Sequence, residues 1–156
     1  MLIELVFAFA LVAVCVVIHT AGVVILAEWL LGRREAFERR PDMTRFTLML
    51  MMVFAIIILL HLLETAIWAA FYQRQGLFPD YETSLYFSLK SYSTVGYGDV
   101  LLPQRWRLLG CVEAISGVLL CGLSTAFIFV IVNALVQIRV QHHSKTHKDE
   151  PSRLPV

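Results

Sequence analysis

The sequence predicts an all-α integral membrane protein with three transmembrane helices and one short re-entrant helix per chain. Of its 156 residues, 58% are apolar and only 16% charged, whereas soluble domains run at about half and a quarter. The apolar residues gather in three runs, 2–31, 46–72 and 108–138, each long enough to cross a hydrocarbon core of ~30 Å. The segment between the second and third runs, 73–107, holds Tyr81, Leu85, Tyr86, Phe87, Leu89 and Tyr92 at helical spacing. It is therefore expected to dip into the bilayer rather than lie in water.

The first run would reach ~45 Å as a helix, so it spans with tilt. It opens Met1-Leu2-Ile3-Glu4 and closes Leu31-Gly32-Arg33-Arg34, which lacks the basic start and cleavage site of a signal peptide and reads as a retained helix over 1–32. Residues 33–45 form a basic loop broken by Pro41, with Arg33, Arg34, Arg39, Arg40 and Arg45 against Glu35, Glu38 and Asp42. Besides setting topology, such a cluster attracts anionic lipid. Residues 139–156 are mostly polar, with Arg139, Lys145, Lys148 and Arg153, and read as a short cytoplasmic tail. These basic residues outnumber Arg74, Arg105 and Arg107 of the central segment. The positive-inside rule then places loop and tail in the cytoplasm, and Met1 and residues 73–107 outside.

Several function classes are excluded or unsupported. A formal net charge of +1 gives no basic excess for nucleic acid. Cys15, Cys111 and Cys121 all fall in apolar runs, without disulfide or metal-clip spacing. No nucleotide-binding fingerprint or nucleophile elbow occurs, so no enzyme is indicated.

Within the central segment, Asp80 after Pro79 is a good N-cap and Glu82 lies in the first turn, so a helix is expected from there to about Ser93. It runs into Thr94-Val95-Gly96-Tyr97-Gly98-Asp99. Non-helical backbone at membrane depth leaves its carbonyls unpaired at several kcal/mol each unless something binds them, and a dehydrated cation is such a partner. Gly96 and Gly98, alternating with other residues, allow backbone angles that let successive carbonyls face one axis. One strand cannot surround an ion, whereas four symmetry-related copies can.

Residues Thr94 to Asp99 resemble the selectivity filter of the potassium channel family. With the preceding short helix and the flanking spans they are similar to its two-helix pore module, over 46–138: outer helix 46–72, pore helix and filter 80–99, inner helix 108–138. The resemblance implies a passive potassium channel, a homotetramer with no cofactor beyond permeant K+. The backbone carbonyls of Thr94, Val95, Gly96 and Tyr97 would hold the ion, the Thr94 hydroxyl would close the innermost site, and Gly98 would line the outer mouth. Tyr97 is expected to pack against Tyr86, Phe87 or Trp68. Gly117 resembles the hinge of the family's inner helix, and Gly117 and Gly122 serve either bending or close packing. Ser124, Thr125, Phe129 and Asn133 are candidates to line the cavity below the filter. A nonselective cation channel and a non-conducting subunit of another channel are the alternative readings.

Lys90 departs from the family, several of whose members carry glutamate there, hydrogen-bonded to the aspartate matching Asp99. A lysine beside a cation pathway is expected to find a carboxylate, and Asp99, Glu64 and Glu113 are the candidates to support the filter with it, alongside Trp68; the alternative is that it reaches polar headgroups by snorkelling. His61, Glu64 and Trp68 share one helical stripe. His61 is expected to make a structural hydrogen bond to the pore helix or, alternatively, to sense protons. Glu28 is expected to meet the basic loop and Glu4 the outer interface. His142, His143 and His147 read as a solvated cluster. No run carries arginine every third residue, so no voltage-sensing helix is indicated. A bacterial inner membrane is the expected setting.

Overall fold

The computed structural model describes residues 2–33 and 43–148, the last eight of these by backbone alone. It contains α1 (Leu2–Leu31), α2 (Met43–Arg74), α3 (Tyr81–Tyr92), a 3-10 turn (Gln104–Trp106) and α4 (Arg107–Lys148), with no strand among the described residues. Three of the helices are long and apolar enough to cross a membrane. The chain is an all-α integral membrane protein. At 12 residues, α3 reaches only ~18 Å and cannot span.

Each terminus follows from local chemistry. α2 ends where Gly76 takes φ +64. There the Gly76 and Leu77 N–H groups reach back to the carbonyls of Gln73 at 3.0 Å and Tyr72 at 3.1 Å, satisfying acceptors that the helix end leaves open. α3 begins at Asp80, extended at φ −146, whose carboxylate accepts the Thr83 N–H at 2.7 Å. That bond holds the Asp80 carboxyl below its ordinary range. α4 continues past 138 to Lys148, where a polar tail was expected, because no glycine or proline interrupts 139–148. Residues 34–42 and 149–156 lie outside the described residues, as do the side chains of His142, His143 and His147.

Two apolar clusters hold the helices together. One joins Ala8 and Cys15 of α1, Trp68 and Tyr72 of α2, Phe87 of α3, and Leu109 and Leu120 of α4. Tyr72 stands edge-on to Phe87 at 5.4 Å and to Phe78 at 6.1 Å, a favoured geometry for aromatic pairs. The second cluster joins Leu26, Met49, Val53, Ile57 and Ile131. Between them in sequence, on each helix that contributes to both, lies a polar group: His19, His61 with Glu64, and Ser124. Glu4 is 1% exposed and pairs with Arg105 at 2.5 Å, because the 3-10 turn brings that guanidinium back over the start of α1.

Candidate functional site

α3 delivers the segment 94–98. Its last turn closes with the Ser93 N–H on the Leu89 carbonyl at 3.1 Å and the Thr94 N–H on that of Ser91 at 3.0 Å. Then the helix stops, because Thr94, Gly96 and Gly98 take φ of 60, 54 and 79 while the residues between them do not. Glycine adopts such angles freely, whereas a β-branched threonine there is an outlier worth about 1–3 kcal/mol. Strain of this kind persists only where surrounding structure imposes it, and it concentrates at functional sites. Val95 and Tyr97 are exposed, so this segment is a free surface of the single chain.

The far end of the segment is tied back to α3. Lys90 is 5% exposed, and its ammonium donates to Asp99 Oδ1 at 2.5 Å and to the Val100 carbonyl at 2.9 Å. It also lies 5.1 Å from the Tyr86 ring centre, within cation–π range. The Tyr86 hydroxyl donates to Asp99 Oδ2 at 2.6 Å. Of the three carboxylates open to Lys90, geometry selects Asp99. Glu64 and Glu113 are each occupied elsewhere: Glu113, fully buried, accepts the Tyr72 hydroxyl at 2.7 Å and meets Ser88, which also reaches the Thr65 carbonyl at 2.9 Å.

The Lys90 ammonium, followed by the Tyr86 hydroxyl, holds the Asp99 carboxyl down at about 2 from an ordinary 3.8. A carboxyl with a depressed value stabilises the fold fully above its ordinary value and loses that contribution as pH falls through the depressed one. The gap in melting temperature between wild type and Lys90→Met should therefore hold steady above pH 4 and close as the pH falls through about 2. A gap independent of pH across that window would contradict the pair.

Within the single chain Tyr97 does not reach Tyr86, Phe87 or Trp68. Its side chain is 74% exposed, because its intended neighbours are engaged elsewhere: Tyr86 with Asp99, Phe87 with Tyr72 and Phe78, and Trp68 with Tyr72 in the buried core. Trp68 thus sits among α1 and α2 core residues. Gly117 has a packing reason to be glycine: a Cβ there would lie 2.1 Å from the Tyr92 carbonyl oxygen, whereas one at Gly122 would meet nothing within 4 Å. Ser124 does not face a cavity. It is buried between two imidazoles, 3.0 Å from His19 Nε2 and 3.1 Å from His61 Nε2. Cys121, Thr125, Phe129 and Asn133 leave an uncovered stripe along α4.

Sequence reading missed His19, Tyr72 and Tyr92 as functional candidates. His19 is fully buried, with Nδ1 2.8 Å from Glu64 Oε1. The signal was available: a titratable residue in the middle of an uncharged span is a functional hypothesis by default. His61 reaches the Tyr92 hydroxyl at 2.9 Å, which links α2 to the last residue of α3.

The fold and this loop define a membrane protein of three long helices, with a short helix and an exposed, left-handed turn of chain between the last two. A family model described as an ion channel matches residues 46–134, more than half the chain, and the protein belongs to that ion channel family. No curated protein and no solved structure matches it.

Proposed function

We propose that the chain forms a homotetrameric, potassium-selective channel, with the carbonyls of Thr94, Val95, Gly96 and Tyr97 from four subunits replacing the water around K+. The observation that carries this reading is the backbone of 94–98, with left-handed φ at alternate residues immediately beyond a short capped helix, inside a domain of the ion channel family. Carbonyls presented in series bind an ion strongly enough to dehydrate it and weakly enough that a second ion displaces it. α3 directs its carbonyl end at the same region, where its dipole favours a cation.

Two further features support the assembly. Val95 and Tyr97 are exposed in one chain, as expected of side chains whose neighbours belong to other subunits. The stripe of Thr125, Phe129 and Asn133 on α4 is similarly free to line an inner cavity. Lys90 then serves as a clamp: by holding Asp99 it fixes the outer end of the filter from behind. The basic loop and tail face the cytoplasm and Met1 the outside of a bacterial inner membrane, following the distribution of Lys and Arg. The purified chain in liposomes should release K+ under a gradient, and barium should block the release. Absence of flux from a well-formed tetramer would assign the chain to an accessory role.

A further inference from the structure

The most chemically loaded place outside the filter is the polar layer between the two apolar clusters. His19 from α1, His61 and Glu64 from α2 and Tyr92 from α3 converge there. Glu64 Oε1 lies 2.8 Å from His19 Nδ1, and Oε2 lies 3.3 Å from His61 Nδ1. One donor atom from each of these three residues lies within 4.8 Å of the other two. The Tyr92 hydroxyl completes the group, 2.9 Å from His61 Nδ1 and hydrogen-bonded to Glu64. His19 and Glu64 are fully buried, while His61 keeps one partly open edge.

We propose that His19, His61, Glu64 and Tyr92 form an intramembrane site for a divalent transition-metal ion of the zinc type. Two imidazole nitrogens and a carboxylate oxygen are the ligand set such ions favour over magnesium or calcium. Bonds of about 2.0–2.1 Å to a tetrahedral ion place ligand atoms roughly 3.3 Å apart. The two His–Glu64 separations, 2.8 Å to Oε1 and 3.3 Å to Oε2, lie close to that spacing, and the three donor atoms fall within 4.8 Å of one another. Glu64 supplies a counter-charge that a buried cation requires.

The outer shell fits as well. A histidine bound through Nδ1 carries its proton on Nε2 and needs an acceptor for it. Both Nε2 atoms face a single oxygen, Ser124 Oγ, at 3.0 and 3.1 Å, and a hydroxyl oxygen has two lone pairs. One serine thus satisfies both rings in the proton placement that metal binding demands. Cys121 Sγ is 3.9 Å from His61 Nε2, on the side of the ring away from Nδ1, so sulfur is not a ligand.

Such an ion would staple the first helix to α2 and to the residue that precedes Ser93 and Thr94, giving α1 a role in the channel. That consequence rests on the conduction reading, whereas the site itself does not, so metal binding is measured apart from flux.

The test uses the full chain with His142, His143 and His147 replaced by glutamine, which removes the tail imidazoles. Titration with Co2+ should give one ion per chain and the intense visible bands of a tetrahedral site. His19→Gln and His61→Gln should each lose more than the ~100-fold in affinity that an outer-shell change can cost, and Ser124→Ala should lose roughly 10–100-fold. Unchanged affinity in His19→Gln, or only the weak spectrum of a six-coordinate ion, would overturn the proposal. X-ray absorption on the zinc-loaded parent protein needs no further variant: two imidazoles with oxygen ligands support the site, and sulfur or an all-oxygen shell refutes it.

Discussion

Gly117→Ala is expected to be among the most damaging single-methyl changes in the protein. The added Cβ would lie 2.1 Å from the Tyr92 carbonyl oxygen, 2.9 Å from its carbonyl carbon and 3.0 Å from its ring. Two of these three atoms are backbone, so no rotamer change relieves the clash, and either α4 or the end of α3 must move. Overpacking of this kind costs about 1–3 kcal/mol, and immovable neighbours place it at the upper end. The displaced residue lies two before Thr94, so the geometry of 94–98, and with it the proposed filter and tetramer, should suffer with stability. Gly22→Ala should be milder, because its nearest contacts at 2.6 and 2.8 Å are the flexible ends of Leu60. Gly122→Ala, with no neighbour within 4 Å among the described residues, should gain the ~1 kcal/mol by which alanine favours a helix. Thermal melts followed by size-exclusion recovery rank the three variants; a Gly117→Ala protein as robust as Gly122→Ala would remove the close approach of α4 to Tyr92.

The second large effect is expected at Glu113. This side chain is fully buried on α4 and holds Tyr72 of α2 and Ser88 of α3, so one carboxyl group ties three helices. Ser88 keeps the Thr65 carbonyl if Glu113 is removed, but the buried Tyr72 hydroxyl loses its partner. An orphaned buried donor costs about 1–3 kcal/mol, and truncation to alanine adds a cavity. Glu113→Ala should therefore lose about 3–5 kcal/mol, whereas Glu113→Gln, which keeps an acceptor, should lose about 1. In a double-mutant cycle with Tyr72→Phe, coupling of about 1–3 kcal/mol is expected. Additive losses would mean that the Tyr72–Glu113 bond contributes nothing.

Much of the fold was legible because membrane crossing imposes length and apolarity, and both can be read from sequence. The three spans, the Asp80 cap and the short helix follow from local chemistry alone. Boundaries were less legible: α4 runs to Lys148 because polarity does not stop a helix that lacks glycine and proline. The Lys90 carboxylate partner was narrowed to three by charge and resolved only by three-dimensional placement, since Glu64 and Glu113 had prior partners. His19 was passed over because its partners lie 45 and 105 positions away, on helices whose rotation about their own axes a sequence does not reveal. Ser124 lies between His19 and His61 rather than on a cavity wall for the same reason. Tyr97 is exposed in the single chain, where Tyr86 bonds Asp99 and Phe87 and Trp68 pack on Tyr72, contacts that a sequence alone does not reveal.

The account stands on main-chain oxygens of Thr94 to Tyr97 selecting potassium. The most direct measurement is the reversal potential of single channels formed by the purified chain between K+ on one side of a bilayer and Na+ on the other. A potential far from zero, of the sign set by the potassium gradient, is predicted; a potential at zero, reporting equal permeability, would contradict it.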